Sequence, residues 1–146
     1  MASPSLTGDP IGLIGPLTHA NKAAGATSSQ AEANWNHIAG ELARIRELRD
    51  DWDGQGATAP LAENVEAAVK WVQDMRGYPQ AIPPSQVVPG VTGEVVLIWQ
   101  KEAFFLEAEI CKPTQVEWML AVPDQSNKHW VTNGSVSYFV GSLRRS

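Results

Sequence analysis

Midway along this chain the period of the apolar residues shifts from helical to strand-like, and that shift restricts the fold more than any motif does. From Trp35 to Met75 they recur every three or four positions; from Phe104 to Leu120 they fall on alternate positions. The first spacing puts side chains on one face of a helix, the second on one face of a strand. Trp35, Ile38, Leu42, Ile45, Leu48 and Trp52 form a helical stripe, predicting a helix over about residues 30–50 with Glu41, Arg44, Arg46 and Glu47 on its wet side. Leu61, Val65, Ala68, Val72 and Met75 form a second stripe. Pro60 suits its first position, Thr58 its cap and Gly77 its end. Trp71 falls beside this stripe and is expected at its edge.

The second half reads as strands. Pro79, Pro83, Pro84 and Pro89 make residues 78–93 an extended connector, with Gln86-Val87-Val88 as a short edge strand. Glu94–Gln100 is rich in β-formers. In the next run Phe104, Leu106, Ala108 and Ile110 face one way, and Phe105, Glu107 and Glu109 the other. Val116, Trp118 and Leu120 give a third core-facing set, and Lys128–Thr132 a fourth strand; Trp130 is left without a face. Val136, Phe139, Val140 and Leu143, with Ser135 as cap, predict a short C-terminal helix. The expected fold is α+β: two N-terminal helices packed on a three- or four-stranded antiparallel meander, its outer face acidic and wet. Residues 1–30, with glycines at 8, 12, 15 and 25 and prolines at 4, 10 and 16, are expected to resist helix formation and to form a flexible or partner-ordered arm. Residues 31–146 form the single domain.

Composition narrows the function classes. A net charge of −5 argues against nucleic acid and against anionic membrane surfaces. No apolar run reaches the roughly 18–20 residues of a membrane span. With one cysteine, Cys111, no internal disulfide forms, and no Lys or Arg precedes Lys22, so a cytoplasmic, bacterial-type protein is expected. His19, His37 and His129 are scattered and predict no metal or cofactor. Cys111 reads as a thiol of the interior, not a nucleophile.

Between the two helical stripes lies Asp51-Trp52-Asp53-Gly54-Gln55-Gly56-Ala57. A structural reading accounts for it. Trp52 continues the first stripe and seals the gap between the helices, Asp53 bonds its own turn, Gly54 takes φ > 0 to stop the helix, and Gly56 leaves room for close contact. An alternative is a small-ligand or metal-binding loop centred on Asp51–Gly56. Asp51, Asp53 and Gln55 stand at positions 1, 3 and 5 of a calcium loop with Gly56 at 6, but position 12 is Ala62, not the closing glutamate.

The pattern Leu48-x-x-Asp51-Trp52-Asp53-Gly54-x-Gly56-Ala57-x-x-Pro60, followed by Leu97-Ile98-Trp99 and Phe105–Ile110, resembles a group of small bacterial proteins. That group in turn resembles the small partners found in toxin–antitoxin-like or mobile-element gene pairs. The resemblance covers about residues 35–121. It implies the same α+β fold; the function expected beside it is a non-catalytic, antitoxin-like or accessory subunit. The surfaces expected to meet another protein are the apolar arm, through Ile11, Leu13, Ile14 and Leu17, and the outer sheet face, through Phe105, Glu107, Glu109 and Met119. Glu107, Glu109 and Glu117 could alternatively serve acid–base chemistry if a cleft enclosed them. No nucleophile, phosphate-binding or dinucleotide motif accompanies them, so no catalytic residues are expected.

Overall fold

The computed structural model describes residues 20–78 and 81–133. Two helices, α1 (Ala20–Arg46) and α2 (Ala62–Arg76), precede five strands: β1 (Gln86–Pro89), β2 (Val95–Gln100), β3 (Phe105–Lys112), β4 (Gln115–Ala121) and β5 (Lys128–Thr132). The strands form one antiparallel sheet in the order β1-β2-β3-β4-β5. The α+β class is therefore as expected, with five strands in place of three or four. The predicted C-terminal helix, and Ile11, Leu13, Ile14 and Leu17 of the arm, lie outside the described residues. No described helix is long and apolar enough to cross a membrane.

Helix α1 starts ten residues before the predicted boundary. Ala20, Ala23, Ala24, Ala26, Ala31 and Ala33 supply the strongest helix-forming side chain. Gly25 opposes them by only about 1 kcal/mol, so glycine content alone misjudged this stretch. The helix also ends earlier than predicted. After Arg46 the chain closes a tight turn, with Glu47 N–H donating to Arg44 O and Leu48 N–H to Ile45 O. Helix α2 begins at Ala62 behind Leu61, which has no side-chain cap. Thr58, predicted as that cap, instead bridges to Thr92 and donates its N–H to Val91 O at 2.9 Å, tying the inter-helix loop to the β1–β2 turn.

Both helices lie on one face of the sheet. Trp35, Ile38, Leu42 and Ile45 of α1 join Val65, Ala68, Val72 and Met75 of α2. Below them lie Leu97, Trp99, Leu106, Ala108, Ile110, Val116, Trp118 and Leu120. Trp71 is only 4% exposed and lies at the centre of the core, not at its edge. Its ring stands 6.3 Å from Trp99 and 5.8 Å from Trp118. The cause is that α2 packs against both α1 and the sheet, so its buried arc is wider than one stripe. Trp130 extends the cluster outward, stacked on Trp118 at 5.9 Å. Among the described residues one polar side chain is wholly buried. Asn64 donates through Nδ2 to Gly93 O at 3.0 Å and Cys111 O at 3.2 Å, pinning the first turn of α2 to the sheet.

Candidate functional site

Two regions carry chemistry: the loop between the helices and the outer face of the sheet. In the loop the acidic side chains are engaged by the backbone. Asp53 Oδ1 accepts from Gln55 N–H at 2.8 Å and Ala57 N–H at 3.1 Å. Asp51 Oδ1 accepts from Gly56 N–H at 2.7 Å, and Asp50 Oδ1 from Ala59 N–H at 2.8 Å. The Gln55 N–H holds the Asp53 carboxyl below its ordinary range, against a smaller opposing effect of desolvation and with further help from Ala57 N–H. Asp51 itself takes φ 67°, and Gly54 and Gly56 take 74° and 89°. These are left-handed conformations that favour glycine.

Two details differ from the sequence expectation. Trp52 does not extend the α1 stripe, because the helix has ended by Arg46 and the Asp51 backbone turns the chain away. It is half-buried in the loop and donates from Nε1 to Thr58 O at 3.1 Å. Gly56 serves backbone conformation and not close helix packing, since a Cβ there would meet nothing within 4 Å.

The outer sheet face is the second region. Cross-strand register places Glu107 opposite Met119 and Ile98, and Glu109 opposite Glu117 and Val96. On β5, His129 follows Met119 and Val131 follows Glu117. The face is less uniformly wet than its glutamates suggest. Val96 and Ile98 are each only 8% exposed, shielded in the middle of the sheet by their neighbours on β1 and β3. Val131 at the edge is 60% exposed. Between β3 and β5 lies a recess of 410 Å³, lined on this face by Glu107, Glu109, Glu117, Met119, His129 and Val131.

Of the expected site residues, Glu107, Glu109 and Met119 are thus brought together. Phe105 stands on the same face one rank further along, opposite Ala121, and lines a separate hollow of 300 Å³ with Phe104 and Pro123. Sequence reasoning missed His129, Val131 and Glu94. Alternation along Lys128–Thr132 would have placed the first two; no local pattern announces Glu94.

Glu94 is where the electrostatics of the face begin. Burial works to raise its carboxyl, but bonds from Thr92 Oγ1 at 2.6 Å, Thr92 N–H at 3.0 Å, its own N–H and Glu109 outweigh that and lower it. Glu109 takes the opposite course. Burial first, then a hydrogen bond to Glu94 and the charges of Glu94, Glu117 and Glu107, push it up to about 7. The two carboxyls therefore share a proton held on Glu109. The Cys111 thiol is pushed up to about 11 by burial, then by Glu109 and Glu117, so it is a thiol at neutral pH and a poor nucleophile.

Set on a β-bulge between Ile110 and Lys112, Cys111 brings its sulfur within 4.8 Å of ligand atoms of Glu109 and Glu117. These three are a donor set that sequence spacing could not show, because Glu117 arrives from the next strand. A divalent ion there would have to displace the thiol proton first. Among the described residues these carboxylates have no Lys or Arg partner. Among the described residues the ion pairs are Arg44–Glu41, Arg46–Glu66, Lys70–Asp74 and Arg76–Glu32, all on the helices.

The chain matches no family model, no curated protein and no solved structure. What the face can do chemically therefore rests on its own geometry. It offers an apolar floor and three clustered carboxylates, one of which is raised to about 7.

Proposed function

We propose that this chain is a non-catalytic protein-interaction module, an accessory or antitoxin-like subunit of a bacterial multi-protein system, whose outer sheet face meets the partner. One observation carries the reading: Met119 and Val131 lie on that face amid Glu107, Glu109 and Glu117, and no ion pair among the described residues uses these carboxylates. An apolar centre with a polar rim is the usual anatomy of an interface. The Asp51–Gly56 loop supports this reading by contrast, since its carboxylates already bind backbone N–H groups that hold the helices in place. The test is affinity purification of tagged full-length chain from its native host. A single protein in stoichiometric yield, lost on Met119→Asp and kept on Arg44→Glu in the helical layer, is expected. Recovery unchanged by Met119→Asp would reject the face.

A second reading has one observation in its favour. Glu109, with its carboxyl near 7 in a recess also lined by Glu117 and His129, has the profile of a general acid or base. It lacks a neighbouring nucleophile, since the nearby thiol stays protonated. A hydrolytic activity abolished by Glu109→Gln would promote this reading over the first.

A further inference from the structure

The recess on the outer face has a chemistry that selects its occupant. Its floor is apolar at Met119 and Val131, and its walls are Glu107 and Glu109 from β3 and Glu117 from β4. Adjacent same-face residues of a strand lie roughly 7 Å apart, and directly opposed residues roughly 5 Å apart. The three carboxylates thus form a triangle about as wide as the spacing of two charged side chains one helical turn apart. Glu109 and Glu117 are directly opposed carboxyls, which destabilise a sheet when both are ionised unless something cationic relieves them. No described Lys or Arg does so.

Resting on the interaction reading above, we infer that the recess receives a basic, amphipathic polypeptide segment of the partner, seating one large apolar side chain on Met119 and Val131 while flanking Lys or Arg side chains reach Glu107, Glu109 and Glu117. Both halves of the match are needed. A purely cationic ligand leaves the apolar floor wet, and a purely apolar one leaves the carboxylates buried against it without a counter-charge, which costs more than the contact gains.

The experiment uses full-length protein and synthetic 12-residue helical peptides. One carries a leucine flanked by lysines a turn away on either side. A second has glutamate for each lysine, and a third has serine for the leucine. The methyl resonance of Met119 reports occupancy. The first peptide is expected to shift it saturably, and the other two to leave it in place. Glu107→Gln and Glu117→Gln should each weaken binding about two- to fivefold, the range of a partly exposed ion pair. Equal binding of the glutamate or serine peptide overturns the inference, as does indifference to both Gln variants. A gain of tenfold or more on Arg144→Glu/Arg145→Glu also overturns it, because the chain's own basic end would then be the occupant. If no peptide binds but Met119→Asp still removes the host partner, this inference fails and the interaction reading stands; if Met119→Asp leaves the host complex intact, both fail.

Discussion

Replacing Glu109 by glutamine should make this protein more stable, and only above a definable pH. In the fold the Glu109 carboxyl rises from its ordinary 4.5 to about 7, burial being the first cause and the contact with Glu94 the second. An acid raised on folding favours the folded state at low pH. Its contribution is intact below 4.5, falls away as pH rises through the interval, and is lost above about 7. At 1.36 kcal/mol per pH unit the full interval corresponds to roughly 3 kcal/mol. Glu109 is only half-buried, so solvent screening reduces the effect to about 1 kcal/mol. Glutamine keeps a donor toward Glu94 and has no proton to lose. The variant and the parent should therefore melt together at pH 4.5, and the variant should melt about 3–5 °C higher at pH 8. Thermal unfolding by circular dichroism at four or five pH values measures this. A variant no more stable than the parent at pH 8, or equally favoured at both ends, would refute the placement of the proton on Glu109. A gain would mean that the face carries a carboxylate at the expense of stability, as binding surfaces do.

Three further substitutions test how the fold supports that face. Trp71→Ala removes the ring at the centre of the core and should cost about 3–5 kcal/mol, lowering the melting temperature by roughly 10–20 °C and flattening the near-ultraviolet dichroism. Asn64→Ala strips two donors from the Gly93 and Cys111 carbonyls and should cost about 2 kcal/mol in urea titration; an unchanged midpoint would show that those carbonyls find other donors. Gly54→Ala forces a Cβ into φ 74° and should cost about 1–2 kcal/mol with no change in the outer-face resonances.

Periodicity found both helices, and alternation with β-rich composition placed the strand segments, because each element buries one face against the same core, though the sheet has five strands where three or four were expected. It failed where spacing continues but the backbone does not. Trp52 follows Leu48 at a helical interval, yet the chain has already left the helix, and no hydrophobic pattern registers the left-handed turn at Asp51. Trp71 was misplaced for a complementary reason: a stripe describes a helix with one neighbour, and α2 has two. At the N-terminal side, counting glycines and prolines hid the alanines that carry α1 back to Ala20. On the outer face, alternation gave Phe105, Glu107 and Glu109 their common side. The pairing of Glu109 with Glu117, the approach of Cys111 and the contact with Glu94 depend on register and on a bulge, which no single strand encodes. Most of the fold was therefore legible in local pattern, whereas the site was legible only one strand at a time.

The most direct test of the account is the dissociation constant of the complex with the host partner, measured for Met119→Asp and for Arg44→Glu on the opposite, helical layer. Burying an aspartate among Glu107, Glu109 and Glu117 should weaken the complex at least about tenfold, while Arg44→Glu leaves it within about twofold. Equal affinities for the two variants would contradict the claim that this protein works through the outer face of its sheet.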